Sequence, residues 1–123
     1  MEARLNLVVA ACNPYFAQNL SILLKKFPVE LPHIVLPNEA SCIYLVQKLI
    51  HELLGMPPNW PESHPIQRGV FDKIENGVID IVYYLLVPQE LKVDTTFFHW
   101  VKLSDLNDVV SQRNNDMIRY ALV

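Results

Sequence analysis

Glycine is scarce: the 123-residue chain has three, Gly55, Gly69 and Gly77, and they are scattered. That excludes a glycine-rich loop of the kind that cradles phosphates with its backbone amides. Two cysteines, Cys12 and Cys42, make neither a disulfide framework nor a zinc-ligand spacing. Cys42 falls on an apolar helix face and Cys12 at the end of a strand, so both read as small core hydrophobes rather than nucleophiles. Such cysteine usage suits a reducing compartment, and a cytoplasmic location is expected. Basic residues form no block. Lys25-Lys26 is the one adjacent pair, and 10 basic against 13 acidic residues give a net charge of -3, so there is no nucleic-acid signature. No apolar run reaches the roughly 18–20 residues needed to cross a bilayer, so no membrane role is expected. Val9-Ala10-Ala11-Cys12 resembles a lipoprotein cleavage box, but the residues before it bring no net positive charge and the apolar run is short. A first β-strand is the expected reading.

What the chain does have is a hydrophobic fraction of 51%, enough for the core of a single domain spanning residues 1–123. Residues 5–12 and 20–26 read as buried strands. Pro28, Pro32 and Pro37 deny the next segment a helix, leaving an extended loop with one short strand. Asn38 can cap a helix in which Cys42, Val46, Leu49, Ile50 and Leu53 recur on one face, and Gly55 with Pro57-Pro58 ends it. Asn76-Gly77 lies between two β-rich runs, which predicts a hairpin. The second run, residues 78–87, is apolar without alternation and belongs in the middle of a sheet. Residues 97–103 predict a late strand, Ser104 a helix cap with Asp105 in the first turn, and residues 114–122 a last helix with Met117, Ile118, Ala121 and Leu122 inward. The order β, β, loop, helix, β-hairpin, β, helix is α+β with a mixed sheet.

That order resembles the Nudix fold. The family's signature is Gly, five residues, Glu, seven residues, then Arg-Glu-apolar-x-Glu-Glu-x-Gly-apolar. Here Leu31-Pro32 resembles the opening of its loop and His33 falls at the first Gly. Glu39 matches the first Glu, and Gln47-Lys48-Leu49-Ile50-His51-Glu52 follows seven residues later. Gly55-Met56 resembles the closing pair, displaced by one residue. The run "FFHWVKLSDL" around Trp100 resembles the family's late strand. The resemblance implies a mixed β-sheet sandwiched by helices.

The departures fall on the chemistry. In the family, acids on this helix hold magnesium, which bridges a diphosphate. Mg²⁺ takes hard oxygen ligands, and carboxylates offset its charge. Lys48 places a cation at a Glu position, His51 a nitrogen at another, and Gln47 replaces the Arg. Glu52 and Glu39 are the acids left. The degenerate positions are therefore His33, Glu39, Gln47, Lys48, His51 and Glu52. The expectation is no metal, no cofactor and no diphosphate hydrolysis. The chain would be an inactive Nudix-like domain acting as a protein-interaction or assembly subunit, with a residual nucleotide-shaped cleft. Tyr84, Phe98 and Trp100 are candidates to line that cleft or an interface. A second reading is an atypical Nudix hydrolase holding Mg²⁺ or Mn²⁺ with Glu52, Glu39 and a loop acid, Glu90 or Asp94, a region where some Nudix enzymes carry their general base. A third is an unrelated α+β adaptor. A zinc site from His33, His51 and Glu52 has no ligand spacing behind it.

Overall fold

The structure, a computed structural model, describes residues 2–12, 20–36, 45–46, 48–53, 66–70, 77–87 and 93–122, with backbone alone at 12, 52–53 and 66–70. Its strands are β1 (Glu2–Cys12), β2 (Leu20–Lys26), β3 (Val29–Glu30), β4 (His33–Val35), β5 (Ile66–Val70), β6 (Val78–Val87) and β7 (Phe98–Lys102). Residues 45–46 and 48 are α-helical and lead into α1 (Leu49–Leu53), which has π-helical spacing. A 3₁₀ helix (Leu103–Asp108) follows β7, and α2 (Gln112–Leu122) comes last.

Among the described residues, strand β1 organises a 7-stranded mixed sheet. Along one edge it runs parallel to β6, from Glu2↔Val78 to Ala11↔Val87. Its other edge is shared: β4 pairs antiparallel at Arg4–Asn6, and β2 at Ala10–Cys12. β5 lies beyond β6, β7 lies beyond β2, and β3 folds back on β2. The largely apolar run of β6 thus sits between two neighbours, as its composition predicts. Gly77 enters β6 with φ of 72°, a left-handed conformation that glycine adopts without a side-chain penalty.

Both faces of the sheet are covered, and the period-two alternation of side chains divides the core accordingly. Leu5, Leu7, Val9 and Ala11 of β1 join Leu23, Tyr83, Leu85, Val87 and Phe98 under Val46, Leu49 and Ile50 of the first helix. Val8 and Ala10 point the other way, with Ile22, Leu24, Leu31 and Val82, against Leu106 and against Met117, Ile118 and Ala121 of α2. Each fully buried aliphatic side chain contributes about 1.5–3 kcal/mol. The result is the expected α+β fold, a mixed sheet between helices.

Four local expectations change. The proline-rich segment holds two short strands, β3 and β4, rather than one. The late strand spans Phe98–Lys102, shorter than residues 97–103. Ser104 does not cap the helix after it: the cap position is Lys102, with no side-chain cap hydrogen bond, because the helix is 3₁₀ and begins at Leu103. The last helix begins at Gln112, not residue 114, because the Ser111 hydroxyl accepts from the Asn114 amide at 3.2 Å and starts it earlier.

Candidate functional site

The first helix packs by alternating contact with the sheet. Leu45, Val46, Leu49 and Ile50 are buried, while Lys48 and His51 are exposed. This is the amphipathic pattern that the sequence predicts, with the apolar face inward and the polar residues presented outward. The ammonium of Lys48 therefore stands on the outer surface of the helix, at a position where the signature carries an acid. Glu52 lies in the π-turn. Its side chain, and Glu39, Gln47 and Glu90 altogether, lie outside the described residues, as do Cys42 and His64.

His33 belongs to a different surface. It pairs with Asn6 across β1 and β4, and Asn6 projects to the α2 side of the sheet, whereas Ile34 beside it packs on the α1 side. Its Nδ1 lies 3.1 Å from the carbonyl oxygen of Leu31 and 3.7 Å from a Glu30 carboxylate oxygen. A carbonyl can only accept, so Nδ1 carries the proton in that bond. His33 and the α1 residues are thus on opposite sides of the sheet and do not assemble a common site. Among the described residues no three His, Cys, Asp or Glu side chains gather as metal ligands.

The loop acid Asp94 is exposed and shapes its own turn. Its carboxylate accepts from the Thr96 amide at 3.0 Å, and its carbonyl accepts from the amides of Phe97 and Phe98. This is the local Asx geometry that short acids favour before a strand. The three aromatic candidates divide by face. Phe98 is buried and Trp100 half-buried on the α1 side, while Tyr84 packs half-buried on the α2 side. Phe98 and Trp100 can share a cleft with the first helix; Tyr84 cannot join them.

A polar cluster absent from the expectations lies on the α2 side. Asp80, 2% exposed, accepts from Asn6 Nδ2 at 2.9 Å and from Arg113 Nε at 2.7 Å. Arg113 thereby ties α2 to the two central strands. The signal was present in the sequence: a lone aspartate inside the apolar run of residues 78–87 must be paired if it is buried.

With this geometry in place, comparison with solved structures is decisive about the fold. A mutT/nudix family protein from Listeria innocua superposes with a TM-score of 0.77 at 16% identity, over 98% of this chain and 91% of that one. The chain has a Nudix-like fold. The C-terminal domain of mouse MUTYH, in its complex with human PCNA, matches the Nudix-like chain with a TM-score of 0.76 and 18% identity, over 98% of this chain and 86% of that one. The NUDIX domain of Shewanella oneidensis NrtR, complexed with ADP ribose, matches with 0.69 and 17%, over 98% and 85%. No protein-family model matches the sequence, and no curated protein matches it.

The described residues do not fit the magnesium that the fold family implies. By the resemblance, Lys48 and His51 fall at acid positions, and both are exposed on the helix, an ammonium and a nitrogen donor. Mg²⁺ selects oxygen ligands and is repelled by a fixed ammonium.

Proposed function

We propose that this chain is a catalytically inactive Nudix-fold domain that works by binding, as a protein-interaction or assembly subunit. One observation carries the reading. The scaffold and the buried face of the helix are kept, while Lys48 and His51 stand exposed where the signature has carboxylates. The buried apolar face is what packing on the sheet requires; the exposed face is open to other chemistry. The similar MUTYH domain, solved in complex with PCNA, supports a fold of this shape engaging a protein.

A second reading keeps a nucleotide-shaped cleft. It draws on the NrtR domain solved with ADP ribose, and on Phe98 and Trp100 lying on the α1 side of the sheet. Light scattering on the tagged chain after co-purification separates the two. A stoichiometric complex with a second protein is expected. A chain that recovers no stoichiometric partner, yet binds ADP-ribose in a calorimetric titration, contradicts the first reading and favours the second.

A further inference from the structure

The signature's spacing holds from His33 to Glu52 and fails at its end, where Gly55-Met56 arrives one residue late. In the structure, the helix changes to π spacing at Leu49–Leu53, the stretch just before that delay. A π-turn closes i→i+5 rather than i→i+4, so it takes in one residue more than an α-turn. The two offsets agree in size and in sign. The core explains why the extra residue is absorbed locally. Leu45, Val46, Leu49 and Ile50 are 7%, 1%, 1% and 3% exposed. Rotating them by one helical position, about 100°, would turn this apolar stripe away from the sheet. A single π-turn accepts the insertion and leaves them in place.

We infer that the π-turn is a second departure from a metal-holding helix, independent of Lys48 and His51. Carboxylates share a cation on a helix because residues three and four apart lie on one face. Positions 51 and 52 lie inside Leu49–Leu53, so the wider π spacing alters their three- and four-residue relation to position 48. Restoring acids at positions 48 and 51 alone therefore does not restore a divalent-cation site. The inference rests on the reading of the chain as an inactive Nudix-fold domain, and it adds a backbone cause to the side-chain one.

The test is Mn²⁺ binding, read by electron paramagnetic resonance of the free ion. It compares the wild type, Lys48→Glu/His51→Glu, and that double variant with Leu54 removed. Circular dichroism and cooperative urea unfolding check each fold. The double variant should bind within about twofold of the wild type, and removal of Leu54 should tighten binding at least about tenfold. Equal binding by the two variants, tight or weak, overturns the inference. Should the deletion not fold, through-hydrogen-bond NMR couplings on the wild type decide instead. Bonds from amides to carbonyls five residues earlier are expected, and uninterrupted four-residue bonding overturns it. Hydrolysis by the wild type would instead contradict the inactive reading, while the Mn²⁺ titrations still judge the register.

Discussion

At the residue scale, the most informative side chains are those whose surroundings restrict their chemistry. His99 of β7 is one. Its Nδ1 is buried without a hydrogen-bond partner among the described residues, and burial, with a smaller contribution from the Lys26 ammonium, lowers its pKa below the ordinary 6.5. The fold therefore disfavours the protonated imidazole. Above about pH 6.5 folded and unfolded chains are both neutral at this site, and it adds no pH dependence. As pH falls through that value toward the lower folded pKa, the unfolded chain takes up the proton first, and stability is lost. Urea unfolding at about pH 7.5 and about pH 5.5 should show the midpoint falling more in the wild type than in His99→Gln. An equal fall in both would remove His99 as the cause. Asp80 is the contrasting case, a buried carboxylate whose oxygens are engaged by Asn6 and Arg113.

At the element scale, α2 is secured by its polar start as much as by its apolar face. Asn114 Oδ1 accepts from the amide of Leu31 at 2.8 Å, and Leu31 is fully buried. Asn114→Ala removes that acceptor and leaves a buried N–H unpaired, at a cost of about 1–3 kcal/mol in equilibrium unfolding. A loss below a few tenths would mean that another acceptor replaces it. Elements with strong local patterns are legible in the sequence: β1, β2, β6 and the buried positions 46, 49 and 50 of the first helix. Their signal is local, because continuous apolar runs and helical spacing are written in neighbouring residues. What was not legible depends on distant partners. The start of α2 depends on the Ser111 hydroxyl accepting from the Asn114 amide, which the apolar spacing of residues 114–122 does not reveal. His33, assigned by spacing to the signature, turned out to face α2, because strand pairing with Asn6 fixes its side. Tyr84 shares aromatic character with Phe98 and Trp100, but the face of the sheet it joins depends on strand placement, which sends it to the α2 side. The π-turn had a trace, the late Gly55, but one residue of displacement does not name the helical geometry that absorbs it.

At the scale of the whole molecule, the fold and the chemistry separate. The mixed sheet, seven-stranded among the described residues, lies between helices and overlays Nudix structures over nearly the whole chain at 16–17% identity. That likeness establishes architecture and leaves activity to the side chains. Those that are described point away from a shared magnesium: a lysine on the helix surface, a histidine within the π-turn, and Asp94 engaged in its own turn. The measurement that bears most directly on the account is hydrolysis of a panel of nucleoside diphosphate derivatives, ADP-ribose among them, with Mg²⁺ or Mn²⁺ and phosphate release as the readout. The account predicts no turnover above the protein-free control, for the wild type and for Glu52→Gln alike. Robust wild-type turnover that Glu52→Gln abolishes would contradict it.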